Sequence, residues 1–185
     1  MLKDKLSSIR YLHSLGVAET AQKLAGHWGA DQEKAWLAGM LHDYAREHTP
    51  EELLEIAINN GIKILEEERA QPVVLHAPVG ALLVRQELGI QDQEVLDAIA
   101  KHTVGGVHLS LLDKIIYLSD IVEPNRDFPG VEKLRGEVYQ DLDRALKHAT
   151  EGTINQLTKN GRVIHPHSIL MYKELSDSRK SIRKI

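Results

Sequence analysis

Six residues stand out by type and position. In chain order they are His13, the pair His42-Asp43, His76, His102 and Asp120. Imidazole and carboxylate are the side chains that ligate borderline divalent cations through nitrogen and oxygen. The sequence holds ten histidines and no cysteine. That excludes a disulfide framework, a zinc ribbon and a cysteine nucleophile. Neighbouring residues on a helix point about 100° apart, so His42 and Asp43 can grip one site from two directions. The two oxygens of Asp43 can also bridge two ions, whereas an imidazole offers one lone pair. Asp43 and Asp120 each follow a strongly apolar run. A carboxylate beside a core face is costly unless it is paired or bound to metal. Each histidine alone reads as a structural residue; the ordered set, spread over several helices, reads as a metal cage inside a bundle.

The elements that must position these groups are helical. Strand-like alternation is nearly absent, and aromatic residues make up only 4% of the chain. The pattern predicts a helix over 3–15 stopped by Gly16, a second over 18–28 with Gly29 as its C-cap, and a third over 33–42 capped by Asp31. Thr49-Pro50-Glu51-Glu52 marks a helix start, with cap, first-turn proline and acids at the positive end. Further helices are expected over 76–89, 92–103, from Ser110 to about 122, over 131–136 and over 140–160. Residues 124–130 read as a loop, as does His165-Pro166-His167. The polar tail from Ser176, with Arg179, Lys180, Arg183 and Lys184, reads as a frayed terminus. An all-α fold is expected, as one domain over 1–185, with a metal-ligand core at about 10–130.

Bulk properties narrow the function. The 185 residues are 42% hydrophobic and 27% charged, with 23 basic and 27 acidic side chains and a net charge of −4. A mildly acidic chain lacks the basic field that a non-specific nucleic-acid binder needs. No apolar run approaches the roughly 20 residues of a membrane span, and the first residues lack the apolar core of a signal peptide. A reducing cytoplasm is the expected compartment.

The ordered set resembles the HD-domain superfamily of metal-dependent phosphohydrolases, an all-α helical bundle. The likeness sharpens in Arg10-Tyr11-Leu12-His13-Ser14, His42-Asp43-Tyr44-Ala45-Arg46, His76-Ala77-Pro78-Val79-Gly80, His102-Thr103-Val104-Gly105 and the stretch from Asp113 to Val131. Together these are similar to the YqeK family of bacterial HD proteins, symmetrical diadenosine tetraphosphate hydrolases. Ser119 stands where that family is expected to carry Ala, a small-for-small change.

The resemblance implies a dinuclear centre. His13, His42, Asp43 and Asp120 would hold one ion, and Asp43, His76 and His102 a second. Iron is the implied metal; Mn, Co and Mg stay open. Asp43, His13 and Asp120 are the implied catalytic residues, metal-activated water attacks a phosphoryl group, and the product is ADP. Phosphates also need protein cations. Arg46 lies four residues after His42 and shares its face if the helix continues. Arg10 lies three before His13. Arg126 stands in the loop after Asp120, and the Thr103 hydroxyl can donate a hydrogen bond. Lys114 falls off the Asp120 face. His27, His48, His108, His148, His165 and His167 read as surface or capping residues, and Trp28, Trp36 and Phe128 as packing. The rival functions are a 5′-nucleotidase, a guanosine tetraphosphate hydrolase and a non-catalytic nucleotide sensor. The expected partner is a small dinucleoside polyphosphate, with no nucleic-acid polymer and no membrane; self-association stays open.

Overall fold

The computed structural model describes residues 2–182. In order, the helices are α1 (Leu2–Lys5), α2 (Ser8–Trp28), α3 (Gln32–Leu41), α4 (Pro50–Asn59), α5 (Glu66–Ala70), a 3-10 turn (Pro72–Leu75), α6 (His76–Leu88), α7 (Gln93–Lys101), α8 (Leu111–Val122), α9 (Val131–Glu137), α10 (Leu142–Lys159) and α11 (Pro166–Ile182). There is no strand among the described residues. The expected all-α class holds.

Local chemistry sets most helix starts. The Asp31 carboxylate accepts from the backbone N–H of Glu33 and Lys34 at 2.9 and 3.0 Å. Thr49 with Glu52, and Ser110 with Asp113, form reciprocal capping boxes. Gly29 closes α2 in the left-handed conformation. α8 is apolar on nearly all sides and occupies the centre, with Ile115, Ile116 and Leu118 fully buried. It packs against α2, α3, α7 and α10. α2 and α3 approach so closely that a Cβ on Gly39 would lie 2.8 Å from the Ala18 Cα.

Two boundaries differ from expectation. Gly16 does not stop the first long helix; α2 runs through it. A mid-helix glycine costs roughly 1 kcal/mol against alanine, but here a Cβ would sit 2.7 Å from the Glu123 Oε2 atom. The glycine makes room for a neighbour instead of breaking the helix. Pro166 likewise opens a helix where a loop was expected, because the first turn has no use for the missing N–H. Residues 176–182 continue α11; Arg183 and Lys184 lie outside the described residues. α11 packs on α10, buries Met171 and binds the Val104 carbonyl through the Ser168 hydroxyl at 2.9 Å. It thereby braces the loop that follows His102 and Thr103.

Candidate metal centre

Each helix end delivers one ring with its proton already placed. His42 follows the last turn of α3, and its Nδ1–H donates to the Gly39 carbonyl at 2.7 Å. His102 repeats this after α7, donating to the Ile99 carbonyl at 2.7 Å. His76 opens α6 and donates to the Val73 carbonyl at 2.5 Å. A carbonyl only accepts, so Nδ1 holds the proton in each ring and Nε2 keeps its lone pair. His13 lies inside α2, and its Nδ1 meets the Glu123 Oε1 atom at 3.1 Å.

The four Nε2 atoms converge in two pairs. His13 and His42 approach to 3.2 Å, and His76 and His102 to 3.1 Å. Two lone pairs at that distance repel unless a proton or a cation lies between them. Two nitrogens each about 2.1 Å from one ion, at about a right angle, stand about 3 Å apart. The spacing therefore fits ligation. The carboxylates complete it. Asp43 Oδ1 is 3.2 Å from His76 Nε2 and 3.8 Å from His102 Nε2, while Oδ2 is 3.8 Å from His42 Nε2. Asp120 Oδ1 lies 3.0 Å from His13 Nε2 and 3.9 Å from His42 Nε2. Three triads have all their ligand atoms within 4.8 Å of one another: His13-His42-Asp43, His42-His102-Asp120 and Asp43-His76-His102.

The electrostatics suit a cation. Burial, reinforced by His42 and His76, pushes the His102 ring down to about 3, so it stays neutral. Burial alone would raise the Asp43 carboxyl; its contacts with His76, first, and with the other surrounding imidazoles outweigh it and hold the group well below the usual carboxylate range. Asp120 is held low by His13 in the same way against its burial. Burial would lower His13, but its contacts with Asp120 and Glu123 prevail and raise it.

The centre opens into a cleft of about 790 Å³. His13, Asp43, His76, His102, Asp120, Arg10, Arg46, Thr103 and Arg126 all line it, and fully buried His42 lies behind the lining, with its Nε2 3.2 Å from that of His13. Arg10 Nη1 stands 3.4 Å from Asp43 Oδ2. Arg126 grips Asp120 twice, from Nη2 to Oδ1 at 2.5 Å and from Nε to the backbone carbonyl at 2.8 Å. Thr103 Oγ1 lies 3.1 Å from His76 Nε2 and 3.0 Å from His102 Nε2. Arg46 arrives by another route than expected: α3 ends at Leu41, and a chain of tight turns carries Arg46 to the cleft. Lys114 turns away and pairs with Asp143 at 2.7 Å.

The HD-domain family model matches residues 10–125. The chain belongs to the HD-domain family. Among HD relatives, a protein of Halalkalibacterium halodurans named as a symmetrical bis(5′-nucleosyl)-tetraphosphatase is 42% identical over 95% of this chain and 93% of its own length. One of the same name from Bacillus subtilis is 40% identical, over 94% and 93%. The crystal structure of an HD superfamily hydrolase from Clostridium acetobutylicum, described as involved in NAD metabolism, superposes with a TM-score of 0.94 at 39% identity, covering 96% of this chain and 94% of that one.

Histidines outside the HD set have other partners. His27 meets the Tyr139 carbonyl, His48 pairs with Glu52, His148 with Glu137, and exposed His108 with Glu174. His165 faces Glu68, and its Nδ1 accepts from the His167 N–H at the start of α11. Phe128 and Trp36 are partly exposed, not core. Phe128 borders a second groove of about 750 Å³ that meets the cleft only at Arg126.

Sequence reasoning missed Glu123, Asn125 and Arg135. Glu123 is buried three residues beyond Asp120. Arg135, from α9, donates to the carbonyls of Val122, Glu123 and Arg126 at 2.9, 2.8 and 2.8 Å. It ties down the negative end of α8 and the loop that carries Arg126.

Proposed function

We propose that this chain hydrolyses diadenosine tetraphosphate symmetrically to two ADP, using two divalent cations, with iron the favoured metal. The observation that carries the reading is the convergence of four Nε2 atoms, three of them left with free lone pairs by the carbonyls at their Nδ1 atoms, and two carboxylates at one cleft. Asp43 directs one oxygen at each histidine pair, which suits a bridging ligand. A pair of bound divalent cations would acidify water and neutralise phosphoryl oxygens.

The chain's own residues supply the rest. His13, His42, Asp43 and Asp120 hold one ion, and Asp43, His76 and His102 the other. Arg10, Arg46 and Arg126 take the outer phosphate oxygens, and an arginine fork matches these better than a lysine. Thr103 donates its hydroxyl from the deep side of the cleft. Exposed Ile9 and Leu12 give the mouth of the cleft apolar surface beside Arg10, where a base can rest. Water adds to an inner phosphorus, the central bridging P–O bond breaks, and each half leaves as ADP. The reducing cytoplasm is the proposed compartment. No helix among the described residues is long and apolar enough to cross a membrane.

Incubating the metal-loaded protein with diadenosine tetraphosphate and separating the products tests this reading. ADP alone is expected. AMP plus ATP would overturn the symmetrical cleavage. Turnover of mononucleotides or guanosine tetraphosphate in its place would select the rival hydrolases, and tight binding without turnover the sensor.

A further inference from the structure

We propose that Glu123 is a positioning residue that sets the tautomer of His13 and so keeps its Nε2 available to a cation. His42, His76 and His102 each take their orientation from a carbonyl three residues back. No side-chain substitution removes those acceptors. His13 sits within α2, where the backbone carbonyls are engaged by the helix, and its Nδ1 faces a side chain 110 residues away. It alone of the four depends on a replaceable group.

With its carboxyl ionised, Glu123 leaves one proton arrangement for His13. Its Oε2 accepts from the Asn125 backbone N–H at 2.7 Å and from Asn125 Nδ2 at 3.0 Å. A backbone N–H can only donate, so Oε2 is fixed as an acceptor. The other oxygen, Oε1, then accepts from the His13 Nδ1–H. Burial and Arg135, bound to the Glu123 carbonyl at 2.8 Å, hold the residue in place. Gly16 leaves the space that the carboxylate fills. A carboxylate offers acceptors on both sides, and a carboxamide does not. In Glu123→Gln the amide oxygen turns to the Asn125 donors and the NH2 faces His13. The ring must then accept at Nδ1 and move its proton to Nε2, where a cation would bind.

Nitrogen-15 NMR of the metal-free protein at alkaline pH, where the imidazole is neutral, reads this directly. The wild-type His13 should carry its proton on Nδ1; a proton on Nε2 overturns the proposal without any variant. Glu123→Gln should reverse the tautomer and weaken metal binding by about 10- to 100-fold, the usual cost of losing an outer-shell partner. Glu123→Asp, which keeps two acceptor oxygens, should retain the wild-type tautomer and recover part of the affinity. A folded Glu123→Gln protein with the wild-type tautomer and unchanged affinity refutes the assignment. Should that variant fail to fold, the wild-type and Glu123→Asp spectra still decide.

Discussion

The inner pair, His76 and His102, is 6% and 1% exposed, and both rings are oriented by their own backbone. In the outer half, His42 is as buried and as locally oriented as the inner rings, but His13 and Asp120 are 15% and 21% exposed; His13 takes its partner Glu123 from 110 residues away, and Asp120 takes Arg126 from the loop that follows α8. The inner half is thus preformed by local geometry and largely shielded by burial. The outer half depends on one long-range contact, Glu123 to His13, and its exposed members face the cleft beside Arg126. The contrast suggests a division of labour, with tight binding inside and substrate handling outside. Asp43 joins the two.

That junction should be the most sensitive point of the centre. Asp43→Asn removes the one carboxylate placed to serve both halves. It should cut hydrolysis by more than about 100-fold, beyond the cost of losing an outer-shell partner, and reduce metal content at both positions by elemental analysis. Loss of metal from the outer position alone would show that the halves are independent.

Arg126→Ala should act on the outer half only. One charged phosphate contact disappears, raising KM by about 10-fold, or about 1.4 kcal/mol. The inner ion should remain bound, so steady-state kinetics and metal content should separate.

The two halves should also answer pH with opposite signs in the metal-free protein. His102 has its pKa lowered to about 3 by burial, so the unfolded chain binds the extra proton between about 3 and 6.5. Its effect is a loss of stability as pH falls through that window. The His13 pKa is raised, so its contribution is present below 6.5 and lost as pH rises through the folded value. Calorimetric Tm profiles of His102→Asn and His13→Asn should therefore lose acid sensitivity and alkaline sensitivity, respectively. Equal changes in both variants would erase the distinction.

At the small end, Lys114→Ala touches neither half. Its partner Asp143 is largely solvent-exposed, so stability should shift by no more than about 0.5 kcal/mol in denaturant titration, with turnover unchanged. A larger effect on turnover would bring Lys114 back toward the site.

The same division decides what the sequence discloses. The caps at Asp31, Thr49 and Ser110 are legible because a cap and its recipients lie within a few residues. Ring orientation at His42, His76 and His102 comes from carbonyls three residues away, so ligand spacing alone suffices to place these rings in a helical bundle. Glu123 escapes because its reason for being buried is His13, 110 residues earlier. Gly16 misleads for the same cause: the neighbour that requires a glycine comes from the far end of α8. Pro166 resembles a breaker only if its neighbours are ignored, since Pro50 opens α4 in the same way. Arg46 reaches the cleft although α3 ends before it, so the expected position was reached from an incorrect local picture.

The proposed centre binds two cations through six side chains, with Asp43 between them. Anomalous diffraction from crystals of anaerobically prepared protein tests it most directly. Two metal peaks are predicted, one bounded by His13, His42 and Asp120 and the other by His76 and His102, with an Asp43 oxygen directed at each. A fully active protein with density at neither position, or with its metal held elsewhere, would contradict the account.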